Sequence, residues 1–154
     1  MQIFKILFSI IGRMFLSAIF IIAALNKFLN WAGTREGYLD ILGKWHMGTD
    51  SAVLERLFDF MARHVDFLLA TATGLELIGG VLVLVGIFSR IGALCLIAFL
   101  IPVTIVFHPF WILESPERDV QLVMFMKNLA ILGGVMLVAA FGSGISFKRY
   151  HPQA

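Results

Sequence analysis

The chain has 154 residues, 60% of them hydrophobic and only 14% charged, with a mean hydropathy of +0.93. Soluble domains run nearer to roughly 45–50% apolar, and so short a chain cannot hide the excess in one aqueous core, so lipid must cover it. A formal charge of +2 is too small for a nucleic-acid binder, and the sole cysteine, Cys95, excludes an internal disulfide and any CxxC redox pair. A four-helix thiol oxidoreductase built on paired cysteines is excluded with them.

Residues 1–12 are apolar apart from Lys5, and they either extend the first span or lie along the membrane surface. Arg13 interrupts the apolar run, and Lys27 follows Ala23-Ala24 without a clean small-x-small site, so the first hydrophobic segment is expected to stay in the mature protein. The first span is predicted over residues 14–29, with Trp31 marking the far interface, because tryptophan prefers the headgroup level. Residues 31–66 are the one extended polar region, with Gly33, Gly37, Gly43 and Gly48 among mixed charges. Within it Asp50 or Ser51 caps a predicted helix on which Val53, Leu54, Leu57, Phe58, Met61 and Val65 recur at i, i+3/i+4. Glu55, Arg56, Asp59, Arg63 and Asp66 take the other face, as expected of an amphipathic helix on the membrane or folded over the bundle as a lid.

The second span is predicted over residues 68–88 and the third over residues 91–107. Ser89-Arg90 is their whole connection, which makes an antiparallel hairpin, and Pro102 should kink the third span. His108-Pro109-Phe110-Trp111 leaves the membrane into a polar loop over residues 114–121. The fourth span, residues 122–141, carries Lys127 and Asn128, and Lys148-Arg149 form a basic boundary beyond it. The expected fold is therefore all-α: a single-domain polytopic membrane protein, an antiparallel four-transmembrane-helix bundle with an amphipathic segment between helices 1 and 2. Lys5, Arg13, Arg90, Lys148 and Arg149 share one side with no acid among them, while Arg35, Lys44, Arg56, Arg63 and Arg118 share the other with nine carboxylates. By the positive-inside rule, the short Ser89-Arg90 turn and the basic tail put both termini in the cytoplasm and residues 31–66 outside.

Glu76 lies in the middle of the second span, and an ionisable group there costs several kcal/mol unless paired or hydrated. Lys27 stands fourteen residues beyond Arg13, Glu76 fourteen before Arg90 and Asn128 fourteen before Gly142, each about 21 Å at the helical rise. His108 stands about 27 Å above Arg90. Three helices thus place a polar group at one level, and the fourth places a histidine just above it. Together these groups can bind a small polar head, relay protons or tie the helices together. Lys27 and Lys127 can alternatively snorkel to the interface, and His108 can simply cap its helix. The glycines of the second and fourth spans suit close helix packing, and no metal-ligand spacing stands out.

These residues resemble the DoxX family of small bacterial membrane proteins. The pieces are Gly12-Arg13 with Phe15-Leu16 and Lys27, then Gly37-Tyr38-Leu39, Glu76-Leu-Ile-Gly-Gly and Val85-Gly-Ile-Phe-Ser-Arg90. His108-Pro-Phe-Trp and Lys127-Asn128-Leu-Ala-Ile-Leu-Gly-Gly complete the order, which runs from Gly12 to Ser146. The family pattern often ends with an aspartate after the last serine, where this chain has Phe147-Lys148. The resemblance implies a four-helix bundle in the bacterial plasma (inner) membrane; some relatives are linked to quinone-reducing thiosulfate oxidation and others to oxidative-stress assemblies. It carries over the polar set Arg13, Lys27, Glu76, Arg90, His108 and Asn128.

The expected function is a membrane subunit or accessory protein of a redox system, holding a quinone-like or small polar ligand near Glu76 and His108. Lys27 and Asn128 orient the ligand, while Arg13, Arg90, Lys127, Tyr38 and Trp111 support the site. No flavin, haem or iron–sulfur motif is present, so electrons would come from a partner protein. A lipid-headgroup or small-molecule carrier without chemistry and a purely structural partner are the alternatives, and self-association stays open.

Overall fold

The computed structural model describes residues 2–143, all helices and their connections; the expectations that concern Ser146, Phe147, Lys148 and Arg149 lie outside the described residues. Four helices are long and apolar enough to cross a membrane. They are α1 (Gln2–Leu29), α4 (Val65–Val85), α5 (Ser89–Phe107) and α6 (Glu117–Phe141). Two shorter helices, α2 (Trp31–Met47) and α3 (Ala52–Arg63), lie between α1 and α4. Around the bundle α1 packs on α4, α4 on α5 and α5 on α6, while α1 and α6 scarcely touch. The protein is thus an all-α polytopic membrane protein, and its outer surface of large apolar side chains contacts lipid.

Residues 3–12 continue α1 as one uninterrupted helix, which settles the two readings of that segment in favour of extension. Asn30 breaks it from α2, turning its side chain over Gly33, where a Cβ would fall 2.7 Å from the amide nitrogen. The second span ends at Val85 rather than residue 88, because Gly86 caps α4 at φ +82°, a left-handed conformation that suits glycine. Its start moves to Val65, and α6 begins at Glu117 rather than 122, since polar first turns are helical although they stand above the apolar stretch. α5 likewise starts at Ser89, two residues before the apolar run.

Close backbone approach fixes the α4–α5 hairpin. A Cβ on Gly79 would come within 2.8 Å of the Gly92 carbonyl, and one on Gly92 within 2.9 Å of the Gly79 carbonyl. Without a hydrophobic drive between helices in lipid, such contacts supply dispersion energy that bulkier residues would forfeit. The core behind them is Phe20, Val83, Ala93, Leu96, Phe99, Leu100 and Val135.

The polar region does not remain loop before residue 50. Tyr38, Ile41, Leu42 and Trp45 make an i, i+3, i+4, i+7 stripe, and burial of the last three outweighs the glycine penalty of about 1 kcal/mol each. They pack against Phe58 of α3, with Val106, Phe107 and Ile112 alongside, and the Trp45 indole donates to the Val106 carbonyl (2.8 Å). Lys44 of α2 reaches Glu117 at the head of α6 (2.7 Å), and Arg35 reaches Asp66 (3.3 Å). α2 and α3 therefore form a cap on the acidic end of the bundle. Ser51 does occupy the cap position of α3, but its side chain makes no capping bond.

Candidate functional site

The buried faces of the spans determine which polar groups meet. Arg13, Ser17, Phe20 and Ala24 line the inner stripe of α1, and Lys27 continues it one turn further. Val65, Leu69, Thr73, Glu76, Gly80 and Val83 line that of α4. Where the stripes meet, Lys27 Nζ donates to Glu76 Oε2 at 2.6 Å, with the Glu76 side chain 3% and the Lys27 side chain 20% exposed. The ammonium also stands 5.4 Å from the centre of the Phe99 ring, a cation–π contact contributed by α5. The carboxylate thus has a charged partner, and Lys27 points inward rather than snorkelling.

Asn128, on α6, donates through Nδ2 to Thr104 Oγ1 (3.2 Å), and that hydroxyl donates to the Leu100 carbonyl (2.6 Å). His108 closes α5, its backbone N–H donating to Thr104, while Nδ1 meets Gln121 Oε1 at 2.7 Å. These groups surround one cleft of about 220 Å³, lined by Lys27, Glu76, His108, Lys127 and Asn128 with apolar Ile19, Phe20, Ala23, Phe99, Leu100, Val103 and Ile131. All four principal candidates face the same space, from four different helices or their ends. Among the described residues, no group hydrogen-bonds Glu76 Oε1, Asn128 Oδ1 or His108 Nε2, so the cleft offers acceptors and a titratable nitrogen. The arrangement can hold a small polar head, and two of its groups can exchange protons with it.

The supporting residues go elsewhere, except Lys127. Lys127 is exposed at the cleft rim, its Nζ meeting only Met124 Sδ (3.3 Å). Arg13 is 6% exposed, gives its Nε to the Ser9 carbonyl (3.3 Å) and lays Nη1 against Gly86. There it faces the negative end of α4, where a cation is favoured. Arg90 sits beside Gly142, at the same end of α6. Trp111 belongs to an aromatic cluster with Trp45, Phe110 and Phe125 under the cap. Tyr38 packs at a tilt against Phe107 (centroids 4.1 Å apart) and lines a separate, almost wholly apolar cavity of about 160 Å³ between the cap and the α4–α5 hairpin, with Pro102 in its wall. Burial, and secondarily the charge of Glu76, push its phenol up to about 12. Thr104 and Gln121, which the sequence reading left out, are the partners that hold Asn128 and His108. Gln121 is seven residues before Asn128 and Thr104 four before His108, so the helical spacing could have pointed to both.

Comparisons with known proteins agree with this fold. The chain is 28% identical over 135 residues to the inner membrane protein YqjF of Escherichia coli K12, covering 88% of this chain and 84% of that one. No solved structure matches. The DoxX family model matches residues 8–109, about two-thirds of the chain, which takes in Lys27, Glu76 and His108. Covering three spans and the cap, that match shows that this four-helix membrane protein belongs to the DoxX family.

Proposed function

We propose that the protein is a membrane subunit or accessory protein of a redox system, and that its cleft holds a lipid-soluble ligand with a small polar head, a quinone-like ring first among the candidates. The observation that carries this reading is the convergence of Lys27, Glu76, His108 and Asn128 on one cleft at membrane depth. A buried ion pair is costly in hydrocarbon, and a layer that served packing alone would need no adjoining cavity. Reducing such a ring takes two electrons and two protons. A partner redox protein supplies the electrons, while Glu76 and His108 pass protons and Lys27 and Asn128 orient the ring oxygens. The protein works in the bacterial inner membrane, a reading that its similarity to the inner membrane protein YqjF supports, with both termini in the cytoplasm. Arg13 and Arg90 at one end, against the acid-rich cap at the other, support that orientation.

Titration calorimetry with a short-tailed benzoquinone in detergent tests the reading. Wild-type protein should bind, and the Lys27→Met/Glu76→Leu double variant, which removes the charges as a pair, should lose about tenfold or more in affinity while staying folded. Unchanged binding by the double variant would refute the site. The cap favours this reading over a purely structural partner, because its aromatic cluster and the Lys44–Glu117 pair close the outer mouth of the bundle above the cleft.

A further inference from the structure

The cleft has an open side and an unbalanced charge. α1 and α6 meet at their basic ends, where Ser9 Oγ donates to the Ser143 carbonyl (2.6 Å) and Leu16 packs near Gly134. Above that level they part, and Ile19, Ala23 and Lys27 on α1 face Ile131, Asn128 and Lys127 on α6 across the cleft. The gap faces the lipid on the bundle's perimeter, so a molecule dissolved in the bilayer can enter sideways without crossing the cap.

Inside, Lys27 and Glu76 neutralise one another. Among the described residues Lys127 has no such partner: its ammonium meets a thioether sulfur, a weak acceptor. It stands ten residues into α6 but five below Leu122, where the apolar stretch begins, so its backbone lies about 7.5 Å inside the hydrocarbon edge, with the ammonium turned back one turn beside Met124. An uncompensated cation at that depth is costly, and it lines the same cleft as the free Glu76 Oε1 and Asn128 Oδ1 acceptors.

We propose that the α1–α6 opening is a lateral portal and that Lys127 at its rim selects an amphiphile with a small anionic head, a carboxylate, phenolate or phosphate monoester, over a neutral one of the same size and tail. The head must be small, because a bulky zwitterionic headgroup could not leave the interface to reach Lys127. This rests on the reading of the cleft as a ligand site, and it adds the route and the charge class, under which the phenolate of a reduced quinone-like ring is preferred to the neutral quinone.

The probe pair is oleate and oleyl alcohol, which share a tail and differ in head charge. Each is titrated into protein held in phosphatidylcholine nanodiscs, with retained ligand counted by native mass spectrometry against empty nanodiscs. Wild-type protein should prefer oleate by about tenfold, the fold-change of one charge-assisted hydrogen bond. Lys127→Met should abolish the preference, and Arg56→Gln, a change to an exposed cation on α3 far from the cleft, should leave it intact. Ala23→Phe, which fills the cleft from α1, should reduce retention of both probes. Circular dichroism confirms that each variant is folded. Equal retention of the two probes by wild-type protein, an oleate preference that survives Lys127→Met, or retention that Ala23→Phe leaves undiminished overturns the proposal. If that happens while the short-tailed benzoquinone still binds in a Glu76-dependent way, the charge selection fails and the ligand site stands; if neither probe class binds, both fail.

Discussion

Replacing Lys27 by methionine strips Glu76 of its cation while keeping a long apolar side chain in place. Breaking a buried ion pair from one side costs about 3–5 kcal/mol, because the remaining charge is left alone in a poor solvent. The carboxyl has a cheaper escape, which is to accept a proton. From an ordinary glutamate pKa of about 4.3, neutralisation at pH 7 costs about 3.7 kcal/mol, at 1.36 kcal/mol for each pH unit. That figure caps the loss, and at pH 5.5 the cap drops to about 1.6 kcal/mol. In the variant the folded state then holds a proton that the unfolded chain gives up above pH 4.3, so stability falls as pH rises. Adding Glu76→Leu removes the stranded group and should bring stability back to within about 1 kcal/mol of wild type, since paired removal of a buried ion pair is often neutral. Thermal unfolding in detergent, followed by circular dichroism at pH 5.5 and 7, measures all three proteins. A loss that is the same at both pH values, or a double variant no better than Lys27→Met alone, would refute the account of the pair.

Gly86→Ala should destabilise the bundle by about 2 kcal/mol or more, because alanine at φ +82° costs roughly 1–2 kcal/mol and its Cβ would displace the Arg13 guanidinium; a melting curve in detergent checks it. Ultraviolet titration in a Tyr150→Phe background should place the Tyr38 phenol about two units above free tyrosine, near 12, and a midpoint near 10 would contradict its burial beside Glu76. Since its folded value is raised, the stability Tyr38 lends is complete below about pH 10 and lost as pH climbs towards 12. In a Cys95-free background, an impermeant thiol reagent applied to intact cells should label Ser51→Cys but not Phe88→Cys, and the reverse pattern would invert the orientation. Position 88 is 68% exposed and suits the test better than Ser89, which is buried.

The four spans and their common polar level were legible because hydropathy and a fixed helical rise act locally, and the Lys27–Glu76 pair is where equal heights placed it. Helix ends were less so: Gly86 is an ordinary glycine cap signal, but the apolar Ile87-Phe88 that follow it carry the hydropathy past the true end of α4. α2 was hidden by its three glycines and mixed charges, although the Tyr38, Ile41, Leu42, Trp45 stripe was there to be read. Its helix depends on Phe58 and Val106, partners distant in sequence, which no local propensity contains. At the site, family resemblance grouped Arg13 and Arg90 with Glu76, yet their spacing already placed them about 21 Å away, at the helix ends where the dipoles need cations. Thr104 and Gln121 escaped notice because a threonine in an apolar run has many ordinary explanations, and the sequence assigned Gln121 to the polar loop rather than to the first turns of α6.

The account rests on the cleft between α1 and α6 as the place where a ligand sits, and photoaffinity labelling tests that most directly. A short-tailed azido-benzoquinone, irradiated with the protein in nanodiscs and mapped by peptide mass spectrometry, should attach to the faces of α1 around Ala23 and of α6 around Asn128 and Ile131. Unlabelled benzoquinone should compete that labelling away, and Glu76→Gln should reduce it. Label spread evenly over the lipid-facing surface and indifferent to competitor, or confined to the apolar cavity beside Tyr38, would contradict the account.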